Sequence, residues 1–197
     1  MDNPRRKNDS VRRSNDGRVQ FEPVSRQVMY DKDSGLWIPF RKRTYLLWFK
    51  FLQHCERHPD KTVDWSKYDG WGDSNYILGV SFDEFWKDNW VNLFSTKNRG
   101  DTPRYGLSNN HSKHYNGWRL FLLVYEYSIK YPDLANYEIS QLIQKRESFK
   151  RYPIPSFTET VNFDTMGIDK RVIQRRMSEY RKRGNEIMDN VCQGQFP

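Results

Sequence analysis

The sequence predicts an all-α fold, and three observations support that class. Apolar residues recur at intervals of three and four, the spacing of one helix face, along several segments. Alternating patterns typical of β-strands are nearly absent. Aromatic side chains make up 16% of a chain whose hydrophobic content is only 36%, and Trp, Tyr and Phe each bury a large area. We therefore expect a compact, aromatic-rich helical bundle.

The amino-terminal segment differs in composition from the rest of the chain. Residues 1–28 are rich in Arg, Asn, Asp and Ser and have almost no periodic hydrophobicity, which is typical of a disordered segment. We predict that they form a disordered basic arm. Two subdomains are predicted after it, an aromatic-rich helical one over residues 29–115 and a helix-turn-helix-like one over residues 116–197.

The first predicted helix covers residues 40–58 and stops before Pro59. Its buried side would carry Tyr45, Trp48, Phe49 and Leu52. Its first turn contains three consecutive cations, where the helix dipole disfavours positive charge. A nearby anion would relieve this repulsion, although solvent would also suffice. The candidate anion contacts of this turn are Arg41, Lys42 and Arg43.

The second aromatic segment combines a loop with a helix. Residues 64–80 are rich in turn formers, and we expect Trp65, Tyr68 and Trp71 to point inward from this loop. Ser81 and Glu84 have the spacing of a capping box. A helix is therefore predicted from Ser81 to about Phe94, with its aromatic row in the core.

Three further helices are predicted after a polar linker at residues 95–115. The first covers residues 118–131 and ends before Pro132. The second covers residues 137–146 with Asn136 as its cap. A loop over residues 152–167 then leads to the terminal helix.

The terminal helix has two different faces. Its apolar stripe consists of Val172, Ile173, Met177, Tyr180, Ile187 and Val191. Arg171, Arg175, Ser178 and Lys182 follow the same spacing on another side, and Lys170, Arg176, Arg181 and Arg183 add further charge. A helix held by one stripe and presenting a cationic row is what binding to a polyanion requires. Such a helix fits a DNA major groove.

The last two predicted helices can be interpreted as a helix-turn-helix with an extended connection, since about twenty residues separate them. In this interpretation Gln174, Arg175 and Arg176 lie near base edges, because Arg pairs with guanine and Gln with adenine. The expected phosphate contacts are Lys170, Arg171, Arg181, Lys182 and Arg183. An ordinary bundle helix with a solvated basic face is the alternative.

The bulk properties favour an acidic partner. The net charge is +8 and the isoelectric point is about 9.4, which is typical of proteins that bind nucleic acid. Cys55 and Cys192 are too few for a disulfide framework and suggest a reducing compartment. Without an apolar span or a signal-peptide core, the sequence predicts a cytoplasmic protein with no membrane contact.

No motif predicts catalysis or a cofactor. His54 and His58 have the spacing of a zinc-binding pair, but Cys55 replaces the Glu that the metalloprotease motif requires. His111 and His114 form a second pair. The glycines lack the Lys-Ser/Thr ending of a phosphate-binding loop. We therefore expect no enzyme activity, no metal and no cofactor.

The carboxy-terminal residues Asn190, Val191, Gly194, Phe196 and Pro197 form the pattern N-V-x-x-G-x-F-P. This ending, together with the tracts VDWSKYDGWG, FDEFWKDNWVNLF and NYEISQLI, resembles a loosely defined group of bacteriophage and mobile-element proteins of uncharacterised function. The resemblance covers residues 36–197. It implies a phage or satellite origin and a DNA-associated role, and it supplies no catalytic residues.

The sequence leaves three functions open. The first is a non-enzymatic DNA-binding protein of a phage or mobile element. The second is a phage or satellite structural protein, such as a scaffold or a capsid-modifying factor, that binds an acidic coat-protein surface and associates with the virion or procapsid. The third is a small protein that inhibits a host enzyme through its basic face. The oligomeric state is not determined by the sequence.

Overall fold

The computed structural model describes residues 11–13, 19–21, 28–39, 42–98, 101–107, 111–145 and 170–197. Within these ranges the chain contains six α-helices and four strands of three or four residues. The helices dominate and aromatic side chains form the central cluster, so the predicted all-α, aromatic-rich fold is confirmed.

The helices are α1 (Lys42–Arg57), α2 (Ser74–Gly79), α3 (Phe82–Phe94), α4 (His111–Lys130), α5 (Asn136–Gln144) and α6 (Lys170–Cys192). The strands are β1 (Val11–Arg13), β2 (Val19–Phe21), β3 (Val28–Asp31) and β4 (Leu36–Pro39). They form two antiparallel pairs, β1 with β2 and β3 with β4. The predicted disordered arm lies mostly outside the described residues, and its described parts are β1, β2 and the first residue of β3.

The chain divides into two compact units, made of residues 1–42 with 88–106 and of residues 43–87 with 107–197. The first unit contains the β3–β4 hairpin, whose turn is closed because the Ser34 hydroxyl and N–H donate to the Asp31 carboxylate. These bonds hold the pKa of Asp31 below its ordinary value. Trp37 and Thr96 exchange two backbone hydrogen bonds of 2.9 and 3.0 Å, which attach the end of α3 to this hairpin.

The core of the second unit is built around α1. The side chains of Tyr45, Trp48 and Leu52 are almost completely buried, as predicted. The Trp48 indole N–H donates to the Tyr68 hydroxyl at 3.0 Å, and Trp71 packs against the Trp48 ring. Tyr68 and Trp71 are therefore inward, whereas Trp65 is half-buried and donates its indole N–H to Glu56.

The predicted capping box before α3 is confirmed. The Ser81 N–H and hydroxyl both donate to the Glu84 carboxylate, and the Glu84 N–H donates back to the Ser81 hydroxyl. The Ser81 hydroxyl bond is the main reason that the pKa of Glu84 is lowered. Sequence patterning missed the six-residue α2, because a single buried Ile77 leaves no periodic signal.

The carboxy-terminal helices differ from the prediction at their boundaries. Helix α4 begins at His111, seven residues before the predicted start, because its polar first two turns carry no apolar signal. The predicted subdomain boundary between residues 115 and 116 therefore falls inside a helix. The cap of α5 is Ala135, one residue before the predicted Asn136, and the Glu138 carboxylate accepts the Ala135 N–H at 2.8 Å.

The described helices do not combine the length and apolar character that crossing a lipid bilayer requires.

Candidate nucleic-acid interface

Helix α6 is attached to the second unit by its predicted apolar stripe. Ile173 and Met177 are buried in a cluster that α4 and α5 complete with Leu120, Val124, Ile139 and Ile143. Ile187 and Val191 are also buried, and Tyr180 is partly buried against the cluster. Each fully buried aliphatic side chain contributes about 1.5–3 kcal/mol. The stripe is therefore sufficient to fix which face of α6 points outward.

Gly184 brings α6 unusually close to α4. A Cβ atom at this position would lie 3.5 Å from the Phe121 carbonyl oxygen, so the two backbones are nearly in contact. One turn earlier on α6, the Tyr180 ring packs on the Phe121 ring with centroids 5.6 Å apart. The sequence analysis missed this contact, although a glycine in the middle of a predicted helix is itself a signal of close packing.

Four of the predicted contact residues on α6, together with Ser178 of the predicted row, share its exposed face. These exposed side chains are Arg171, Gln174, Arg175, Ser178 and Lys182. Arg175 and Lys182 make no hydrogen bond or ion pair to the part of the chain that the structure describes, whereas Arg171 is exposed and also has a partner within the protein. The predicted cationic row therefore exists as one outward face of α6.

The other predicted cations of α6 lie beside this row and have partners in the protein. The Arg181 guanidinium donates to the Ser128 hydroxyl of α4 at 2.8 Å and is half-buried. Arg183 forms an ion pair of 2.9 Å with Glu186 on the same helix. Arg176 is half-buried and also engaged within the protein. The sequence analysis placed all these cations on the same side of α6, and this expectation is corrected. The buried stripe fixes the rotation of the helix, so these three cations lie at the edges of the stripe.

Of the remaining predicted contacts, two have no described side chain and two lie at the start of α1. Lys170 is the first residue of α6 and its side chain lies outside the described set, as does Arg41. Lys42 is half-buried and belongs to the first unit, whereas Arg43 is exposed and belongs to the second. The predicted cluster at the first helix is therefore divided between the two units.

Helix α5 supports α6 by a polar contact as well as by the apolar cluster. The Asn136 amide of α5 donates to the Ser178 hydroxyl at 3.4 Å, and this hydroxyl donates to the Gln174 carbonyl oxygen at 3.0 Å. The short helix α5 thus packs against the basic helix α6. Most of their predicted extended connection, residues 146–169, lies outside the described residues.

The carboxy-terminal tail is part of the aromatic core. The Phe196 ring packs between Trp118, at a centroid distance of 5.0 Å, and Trp48, at 5.6 Å. Gly194 has a φ of +73°, and a Cβ there would lie 2.3 Å from the Lys67 Cβ. The Asn190 carbonyl oxygen accepts the N–H groups of Gln193 and Gln195. These contacts give the Gly and Phe of the terminal pattern structural roles, whereas Asn190 contributes through its backbone.

The paired histidines have partners other than a metal. His54 Nε2 lies 3.3 Å from the Glu126 carboxylate, and the His58 ring accepts the Asp60 N–H at 3.1 Å. The side chain of His111 is outside the described set. Where the structure describes side chains, no three His, Cys, Asp or Glu residues converge as metal ligands.

Comparisons of the chain with protein-family models, with curated proteins and with solved structures found no match. The resemblance to phage and mobile-element proteins therefore stays a prediction.

Proposed function

We propose that this protein binds double-stranded DNA through the amino-terminal half of α6 and does so without catalysing a reaction on it. The observation that carries the proposal is the exposed row on α6, held outward by a buried apolar stripe. Residues 171–182 contain five Lys and Arg residues and one Glu, whereas residues 183–192 contain one Arg and two acidic residues. The positive charge is thus concentrated where the outward face is uniformly exposed.

The dimensions of α6 support this mode of binding. A rise of about 1.5 Å per residue separates Arg171 from Arg175 by about 6 Å and Arg175 from Lys182 by about 10 Å along the axis. An α-helix with its side chains is about 10–12 Å wide, close to the roughly 12 Å width of the major groove. Cations near the amino-terminal, positive end of a helix dipole raise the local potential further, which favours a bound anion.

The exposed residues take different roles in the proposed complex. Gln174 and Arg175 face base edges, because amide and guanidinium groups match the hydrogen-bonding patterns of adenine and guanine. Arg171 and Lys182 contact phosphates on either side of them. Arg181 and Arg183 contribute less than the sequence alone suggests, since an internal partner holds each of them.

The proposal is tested by measuring the binding of a fluorescent duplex to the full chain over a range of salt concentrations. Log affinity should fall linearly with log salt, and Lys182→Ala, which removes a proposed phosphate contact, should reduce the slope by about one unit. Affinity should decrease about tenfold or more for the Arg175→Ala change alone, by roughly 1–3 kcal/mol.

Lys87→Ala is the matched control, because Lys87 is an exposed lysine of α3 and its loss removes the same charge. It should change the slope by much less than Lys182→Ala does. Equal effects of these two variants would mean that only net charge matters, and the α6 interface would be rejected. Binding to single-stranded DNA or duplex RNA with equal affinity would also contradict groove recognition.

A second experiment distinguishes DNA binding from an assembly role in a phage particle. The full chain is used to capture partners from phage-infected cells, with and without nuclease. Recovery of coat protein that persists after nuclease treatment would contradict the DNA proposal. Loss of the captured material on nuclease treatment would support it.

A further inference from the structure

Two cysteines that are distant in sequence meet under the last turn of α6. Cys55 of α1 is completely buried, Cys192 is 5% exposed, and both are free thiols. The Cys192 thiol is close enough to act electrostatically on the Cys55 thiol. Independently, Cys55 Sγ lies 3.4 Å from the Met188 carbonyl oxygen, the oxygen that an α-helix pairs with the N–H of residue 192. Since a helical side chain leans back over the preceding turn, this contact places the Cys55 sulfur next to Cys192.

The surroundings of the two thiols connect them to the surface. Lys61 forms an ion pair with Asp189 close to them, and the Asp64 N–H donates to the Cys192 carbonyl oxygen at 2.8 Å. Cys192 is the last residue of α6. Because Cys192 keeps a small exposed fraction while Cys55 has none, a reagent from solution reaches Cys192 first.

We propose that Cys55 and Cys192 are a redox-responsive dithiol, which a low-molecular-weight disulfide converts into an internal disulfide tying the end of α6 to α1. This site is separate from the proposed DNA-binding face, since it lies at the opposite end of α6. The inference does not depend on the protein binding DNA.

The reaction is two successive thiol–disulfide exchanges. The Cys192 thiol loses its proton, and the thiolate attacks one sulfur of the small disulfide. A mixed disulfide forms and one small thiolate leaves. Cys55 then loses its proton and attacks the Cys192 sulfur, which forms the internal bond and releases the second small thiolate. The protein gives up two electrons and two protons, and the oxidant becomes two small thiols.

Burial sets the order and the rate of these steps. Burial, together with the neighbouring Cys192, raises the pKa of the Cys55 thiol, and Lys61 opposes this only in part. Because the thiolate is the attacking species, Cys55 reacts poorly with any reagent from solution. It reacts with Cys192 because that sulfur is already beside it.

The test is an equilibrium measurement on the full chain in buffers of reduced and oxidised glutathione, in native conditions and in denaturant. Free thiols are trapped and counted by mass at each ratio. A disulfide that fits the fold is more stable in the native chain than in the denatured chain. The quantity compared is the ratio of reduced glutathione squared to oxidised glutathione at which half of the chain is oxidised. This ratio should be at least about tenfold higher for the native chain. Equal or lower ratios in native conditions would overturn the proposal.

Single variants identify the order of attack. Cys55→Ala should accumulate the glutathione mixed disulfide at Cys192, whereas Cys192→Ala should leave Cys55 reduced under the same native conditions. Faster modification of Cys55 than of Cys192 would contradict this order. If either variant fails to fold, the wild-type equilibrium still decides between the outcomes. Oxidation that yields disulfide-linked dimers instead of an internal bond would also reject the proposal.

Discussion

The two halves of α6 differ in charge and in what they contact. The amino-terminal half has one buried edge, through Ile173 and Met177, and its other side is an exposed cationic face. The carboxy-terminal half is held along one side by Gly184 against α4, by the contact of Cys55 of α1 with the Met188 carbonyl oxygen, and by a tail that ends in the aromatic core. One continuous helix can therefore present the proposed DNA-binding face at one end, because the other end is packed against the core.

This difference also separates arginines that look equivalent in the sequence. Arg175 and Arg183 both belong to the same basic run, yet Arg183 is paired with Glu186 and Arg175 faces outward. The internal partner of a cation reduces what it can contribute to binding, because that contact must be exchanged for the new one. Availability of a side chain is thus decided by its neighbours in space.

The largest change in unfolding free energy is expected at the tail that fixes the carboxy-terminal end of α6. Phe196→Ala should destabilise the protein by about 3–5 kcal/mol, because it empties a site lined by Trp48, Phe51 and Trp118. The measurement is the free energy of unfolding from denaturant titration. Gln195→Ala is the control, since the Gln195 side chain is exposed, and it should stay within about 0.5 kcal/mol of wild type. A cost below about 1 kcal/mol for Phe196→Ala would mean that the tail does not fix α6.

The next effect concerns the close approach of α6 and α4. Gly184→Leu should destabilise by about 1–3 kcal/mol, because its side chain must displace the Phe121 backbone. Gly184→Ala should instead stabilise by up to about 1 kcal/mol, since its Cβ fits at 3.5 Å and alanine favours the helix. Thermal and denaturant unfolding of both variants provide the comparison. If both changes were neutral, the two helices would be further apart than described.

A smaller effect separates the internally bonded arginine from the outward one. Arg181→Ala should cost about 1 kcal/mol in unfolding free energy, because it removes the hydrogen bond to Ser128. Arg175→Ala should change stability by no more than about 0.5 kcal/mol, since its side chain is exposed. Binding to duplex DNA should show the opposite order of effects. If the same variant had the larger effect on both stability and DNA binding, the proposed difference between Arg181 and Arg175 would be rejected.

The smallest effect is expected at the ion pair near the two cysteines. Asp189→Asn should destabilise by under about 1 kcal/mol, because Asp189 is mostly exposed while Lys61 is largely covered. The loss should shrink in high salt, which screens the wild-type pair. Unfolding free energies at low and high salt give the result. Asn185→Ala, another exposed change on α6, is the reference, and an identical salt dependence in both variants would show that the ion pair contributes nothing measurable.

Much of the fold could be predicted because helical spacing is a local property. The first helix was predicted at residues 40–58 and lies at Lys42–Arg57, and the Ser81–Glu84 capping box is present with its reciprocal bonds. The polar start of α4 and the short α2 were missed, because neither contains enough buried positions to produce a periodic pattern. The cap of α5 was predicted one residue late, since Asn136 is a common capping residue and Ala135 is not.

The candidate site could be predicted only in outline. The apolar stripe and the exposed positions 171, 175, 178 and 182 follow from the period of an α-helix. The partners of Arg181 and Arg183 could not be inferred, because one depends on Ser128 of another helix and the other on which of several local carboxylates is within reach. The structural role of the tail was also hidden, since its contacts are with α1, α4 and the loop around Lys67.

The sequence by itself determined the helical class, the aromatic character of the core, the net charge and the two faces of α6, because each of these depends on composition or on local periodicity. Tertiary structure decided which cations remain outward, how closely α6 approaches α4 at Gly184, and that Cys55 meets Cys192. The physical reason is that contacts between distant segments depend on how packed surfaces fit, and no local pattern encodes that fit.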